Sequence, residues 1–129
     1  MRPIFLLLGA CCAFTGVVFG AFGAHVLKAT LSPNLLTVYQ TGVTYQMWHA
    51  LGLITISLLP SHEIHEKILV RAGWLMFGGI VIFSGSLYVL AIANLPWLGM
   101  LTPIGGIAFL FAWSMLIWFA IKNLRPHNP

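Results

Sequence analysis

Few side chains in this sequence can do acid–base, nucleophilic or metal chemistry, and four of them stand in or beside apolar runs. Five histidines and two cysteines, with only two Asp or Glu, are spread over 129 residues. His25 and His49 are the most suggestive pair, because an ionisable residue within or beside a membrane-depth apolar run marks a functional site by default. Tyr45 and His49 are i,i+4 neighbours on one helical face. Ser84, Ser86, Tyr88 and Thr102 belong to later apolar runs at a similar depth. If those runs are helices packed together, His25, Tyr45, His49, Ser84, Ser86, Tyr88 and Thr102 gather into one polar cluster. Two imidazoles in such a cluster could ligate haem or a metal, or contact a quinone. The plainer reading is an interhelical hydrogen-bond network with neutral imidazoles, each bond contributing roughly 0.6–2 kcal/mol. No carboxylate stands in any apolar run, which counts against a proton pump or cation carrier. The network is the preferred reading.

The remaining sets carry less. His62 and His65 are three apart with Glu63 and Glu66 beside them, whereas the zinc motif H-E-x-x-H needs histidines four apart. Both acids lie in that one segment, so no Ser-His-Asp set forms within an apolar run. Cys11 and Cys12 are adjacent, point in different directions on a helix, and read as small packing residues. Gly20-Ala21-Phe22-Gly23-Ala24 lacks the strand and the Lys-Ser/Thr of a phosphate-cradling loop. The sequence thus assigns no catalytic residue, no resident metal and no cofactor.

The elements that must position these residues follow from composition. The chain is 60% hydrophobic and 6% charged, against about 25% charged residues in a soluble domain, and its mean hydropathy is +0.97. So few charges cannot cover a water-facing surface. One membrane domain, residues 1–129, is expected, with four spans at about 4–24, 35–59, 68–93 and 97–121. Ile4 to Ala24 is uncharged and full length. Arg2 and the small residues up to Ala24 loosely fit a signal peptide, and Leu8-Gly9-Ala10-Cys11 resembles a lipobox. The strongly apolar stretch before Gly9 is too short for an h-region, so an uncleaved first helix is favoured. Ser32-Pro33 reads as an N-cap with proline at the first helical position. The second span is polar in its first half (Tyr39, Gln40, Thr41, Thr44, Tyr45, Gln46, His49) and apolar to Leu59, where Pro60 stops it. Residues 61–67 form a hydrophilic loop or the first turn of the third span. Asn94-Leu95-Pro96 breaks the chain, and Pro103 kinks or delays the fourth span.

The net charge of +4 comes from basic residues beside apolar runs. They read as topology signals and headgroup contacts, and nucleic-acid binding is excluded for want of a basic, aromatic-interleaved patch. Arg2, Lys67, Arg71, Lys122 and Arg125 fall on one side of a four-span chain and Lys28 on the other, which predicts both termini in the cytoplasm. Trp97 and Tyr88, and Trp74 and Trp118, are candidate anchors at the outer and inner interfaces. Gly9, Ala13, Gly16, Gly20 and Ala24 share one face of the first span. With Gly85, Gly105 and Gly106 they are expected to let helices approach closely, the main mode of association in lipid.

Four strings, Gly20-Ala21-Phe22-Gly23-Ala24-His25, then Gln40-Thr41 with Tyr45-Gln46 and His49-Ala50-Leu51, Phe83-Ser84-Gly85-Ser86-Leu87-Tyr88, and Thr102-Pro103-Ile104-Gly105-Gly106, resemble the YgdD/YwdK-type family. The resemblance runs in order over essentially the whole chain. It implies a small four-helix protein of the bacterial inner membrane, with the polar cluster built from the family's own motif residues, and supplies no activity because the family has none assigned. The expectation is therefore an all-α polytopic membrane protein, an antiparallel four-helix bundle. It would act by association in the lipid bilayer as a subunit, assembly factor or stabiliser, in a homo-oligomer or larger membrane complex. The alternative is a ligand-binding or transport module that uses the His/Tyr/Ser cluster.

Overall fold

The computed structural model describes residues 2–60 and 62–124. Ser61, Arg125 and the rest of the 125–129 tail, all invoked above, lie outside the described residues. The chain is all-helical, with four long helices in a bundle. α1 runs Pro3–Thr30 and widens into a π turn at Gly23–Leu27. α2 is Pro33–Leu58, α3 is Glu63–Ala93, and α4 is Thr102–Leu124, preceded by a 3-10 turn at Pro96–Met100.

The ends follow local chemistry. Ser32 caps α2 by accepting the Leu35 N–H at 3.3 Å, with Pro33 at the first position, as the dipeptide predicts. α3 starts at Glu63, five residues before the expected span, so residues 63–67 are its first turns and not a loop. Glu63 and Glu66 there meet the positive end of the helix dipole. Asn94 closes α3 in the left-handed region, φ 52°, ψ 53°, a conformation that asparagine tolerates better than most side chains. Pro103 fits only a helix's first turn, so α4 begins at Thr102 and the residues from Pro96 to Met100 coil as a 3-10 turn before it.

Three helices are long and apolar enough to cross a membrane: α1, α3 and Pro96–Leu124, at mean hydropathies of 2.3, 2.1 and 2.1. α2 has the length, 26 residues, but its polar half keeps it out of that set. It is also the central helix, packed against α1 on one side and α3 on the other, while α4 packs on α3. The most polar helix is thus flanked by the more apolar ones, which hides much of it from lipid.

Packing is small residue against large. Phe5 of α1 lies over Gly73 of α3, Phe109 of α4 over Gly79, Met76 over Gly52 and Tyr88 over Gly42. Of the residues expected on packing faces, Gly9 and Gly16 are buried against α2, Gly20 touches Val43, and Ala13 is half-buried beside the core. Gly105 meets the Phe83 backbone, and Gly106 makes ordinary contact with the Phe83 ring. Gly85 does not serve as expected, because the space beyond it is open; Ala24 is exposed, and Gly23 takes its place on the inner face. Trp97, Trp74 and Trp118 are exposed, with Lys122 5.0 Å over the Trp118 ring. Tyr88 is not an anchor: it turns inward.

Arg2 makes a specific set of contacts at the start of α1. Its backbone N–H donates to Ser57 O at 3.1 Å, and its guanidinium donates to Ile56 O and Leu59 O, each at 2.9 Å, and to Glu66 at 2.6 Å. The cation satisfies carbonyls at the negative end of α2 that would otherwise lack partners. It ties the start of α1 to the α2–α3 connection.

A Cβ at Gly105 would sit 2.5 Å from the Phe83 backbone nitrogen, and one at Gly85 would meet nothing. Gly105→Ala is therefore expected to cost about 1–3 kcal/mol through overpacking, while Gly85→Ala is expected to be neutral or slightly stabilising through helix propensity. Thermal unfolding in one detergent compares the two.

Candidate functional site

The inward face of α2 organises the buried polar groups. Tyr39, Gly42, Gln46 and His49 recur at helical spacing and are all buried, so each meets a different neighbour at a different depth. The result is a set of separate nodes and not one cluster.

Gln46 makes the first node. Its carboxamide N–H groups donate to Cys12 O at 2.8 Å and Thr15 Oγ1 at 2.9 Å on α1. Its oxygen accepts the Tyr88 hydroxyl from α3 at 2.6 Å. One side chain thereby joins three helices, using both donors and an acceptor. Beside it, Tyr39 donates to Phe19 O at 2.6 Å, where α1 is about to widen. The Tyr39 and Tyr88 rings lie 5.1 Å apart. Ser84 donates to Gly42 O at 2.7 Å and pins α3 to α2 at the glycine that makes room for Tyr88.

His49 makes the second node. Its Nδ1 lies 2.7 Å from Tyr45 O, and the Trp113 indole donates to its Nε2 at 3.0 Å. A backbone oxygen can only accept and an indole N–H can only donate. These partners assign the neutral tautomer with the proton on Nδ1, and both ring nitrogens are engaged. The Phe109 ring is stacked on the imidazole at 3.5 Å between centroids. Tyr45 is half-buried and stacks on Phe83 at 4.5 Å. Ser86 forms a third node: it bonds Phe83 O at 2.8 Å and the Thr102 hydroxyl at 2.7 Å, which fastens the start of α4 to α3.

Of the residues expected to gather, Tyr45 and His49 are together, Ser86 and Thr102 are together, and Ser84 and Tyr88 each reach α2 separately. His25 joins none of them. It stands exposed on the π turn, because Gly23 and Leu27 take the inner face there and turn it outward. The pairing of His25 with His49 as two ligands therefore does not form. Among the described residues no three His, Cys, Asp or Glu side chains converge. A groove of about 130 Å³ is lined by Phe19, Phe22, Tyr39, Tyr88 and Ile92. Only apolar surface faces it, since both tyrosine hydroxyls bond elsewhere.

Tyr39, Gln46, Trp113 and Arg2 carry hydrogen bonds that the sequence reading left out of its cluster. The 7- and 3-residue spacing of Tyr39, Gln46 and His49 was the available signal for the α2 face. Nothing in the sequence marks Trp113, whose role depends on how α4 is rotated.

Residues 19–106 match the family model described as "Protein of unknown function (DUF423)". The chain belongs to this family. All four motif strings lie within the matched segment, which bears out the resemblance they suggested. The chain is 46% identical to the UPF0382 membrane protein YwdK of Bacillus subtilis over 121 residues, 94% of this chain and 98% of that one. It is 48% identical to the UPF0382 membrane protein SH2409 of Staphylococcus haemolyticus over 120 residues, 92% and 96% of the two chains. No solved structure matches. This DUF423 protein is thus an uncharacterised integral membrane protein of a bacterial family.

Gln46→Leu would strand the Tyr88 hydroxyl and weaken the α1–α2 contact. It is expected to cost about 1–3 kcal/mol, the usual penalty for an unmet buried polar group. A double-mutant cycle with Tyr88→Phe should give a coupling of roughly 0.6–1.7 kcal/mol, read from unfolding in detergent. A coupling of zero would contradict the node.

Proposed function

We propose that this DUF423 protein acts by association within the inner membrane, as a small subunit, assembly factor or stabiliser, and not as an enzyme. The observation that carries the reading is how its polar groups are used. Gln46, His49, Ser84, Ser86 and Tyr88 spend their donors and acceptors on one another, on Trp113, Thr15 and Thr102, or on backbone carbonyls. Such bonds fix helix positions and leave little with which to bind or transform a substrate. On α2, Gln40 and Thr44 remain, and both face outward.

The same reading places all four helices across the bilayer, antiparallel, with both termini cytoplasmic. Contact order supports it: Gly9 lies by Ile54, Gly16 by Met47 and Gly23 by Tyr39, while Gly52 meets Met76, and Gly42 meets Tyr88. The Gly79–Phe109 and Gly105–Phe83 contacts repeat the reversal between α3 and α4. Arg2, Lys67, Arg71 and Lys122 then share one side against Lys28 on the other, as the positive-inside rule requires. α2 crosses as the inner, shielded member of the set despite its polarity.

Two measurements test this. Reporter fusions at each end should both report the cytoplasm, and opposite faces would contradict four crossings. A C-terminally tagged chain extracted from native membranes in mild detergent should migrate in an assembly clearly larger than its own 14.2 kDa. A monodisperse monomer with nothing attached would contradict association.

A further inference from the structure

α2 divides its polar residues between two faces. Tyr39, Gln46 and His49 turn inward, whereas Thr37, Gln40 and Thr44 are exposed. Thr37 returns its hydroxyl to Pro33 O at 3.0 Å, as threonines in helices do. Gln40 and Thr44 have no such outlet: among the described residues their side chains make no hydrogen bond. Depth makes this costly. Centred on a hydrocarbon core of about 30 Å, α2 puts Gln40 about 8 Å and Thr44 about 2 Å from the midplane, at 1.5 Å rise per residue. A carboxamide facing lipid there gives up its water with nothing in exchange.

We propose that this face of α2 is the docking surface for a second copy of the same chain, with the two Gln40 carboxamides hydrogen-bonded to each other across a two-fold axis. Three features favour a second copy. A carboxamide both donates and accepts, so two of them are self-complementary about such an axis. The face carries no charge, so it holds nothing that selects a charged partner. α1 and α3 already cover the flanks of α2, which leaves one narrow stripe that a matching stripe fits; the short threonines beside Gln40 let two backbones approach. Below Thr44 the stripe continues as exposed Trp48 and Leu51, which extends the contact with apolar surface.

The proposal rests on the association reading and names its partner, so the test separates the two. The full chain, labelled at its C-terminus with donor or acceptor dye, is reconstituted in liposomes, and energy transfer is followed as lipid is added. Dimerisation of the natural chain is expected, and Gln40→Leu should weaken it about tenfold, the loss of roughly two interhelical hydrogen bonds. Gln40 is exposed, so Gln40→Leu should leave thermal unfolding of the protomer unchanged. Val81→Ala, on an exposed position of α3, should dimerise like the natural chain. Dimerisation indifferent to Gln40→Leu overturns this interface. A chain that is monomeric in liposomes, yet held with a different subunit in native extracts, overturns the second copy and leaves association standing. A monomer in both settings overturns both.

Discussion

A polar atom inside a bilayer finds its partner in the protein or goes without, and this constraint governs the protein from α2 outward. Water cannot supply the missing bond, so each buried amide, hydroxyl or imidazole must be met by a group placed for it. α2 carries more such groups than the other helices, and its neighbours are arranged around them. α1 offers the Cys12 and Phe19 carbonyls, α3 offers Tyr88 and Ser84, and α4 reaches in with Trp113. Each bond is modest, and lipid provides no hydrophobic force between helices. Their joint effect is to fix the rotation and height of each helix against α2.

Close approach is the second requirement, and glycine meets it. The donors reach their acceptors because bulky rings settle over residues without side chains: Tyr88 over Gly42, Phe109 over Gly79, Tyr39 over Gly23. Phe109 both fills the space above Gly79 and stacks on His49, so the packing and the hydrogen bonding of the second node depend on one ring. At the end of the bundle where α1 begins, Arg2 performs a similar task with charge, gathering the last carbonyls of α2 and the Glu66 carboxylate. A residue that sequence reading counts as a topology signal is thus also a clamp between three elements.

Much of the fold was legible because it follows from local rules. The apolar runs, the Ser32-Pro33 start of α2 and the delay imposed by Pro103 each depend on a few adjacent residues. What was not legible depends on rotation. The polar half of α2 was visible as a list, but the list mixes Gln46 and His49, which face inward, with Gln40 and Thr44, which face out. His25 was expected inside, yet the π turn carries it outward. Tyr88 fits an interfacial anchor equally well until the partner at Gln46 is known, and Gly85 fits a packing face until the space beside it proves open. One sequence fixes which faces a helix has, and only its neighbours decide which of them turns inward.

His49 tests the central claim most directly, because its surroundings prescribe its protons. Nitrogen-15 NMR of the imidazole in the full-length protein in lipid, at neutral pH, reads which nitrogen carries hydrogen. The expected result is the neutral form with the proton on Nδ1, and an unprotonated Nε2 that shows through-space contact with the Trp113 indole hydrogen. A proton on Nε2, or a ring that senses no indole, would mean that the buried polar groups do not satisfy one another as described.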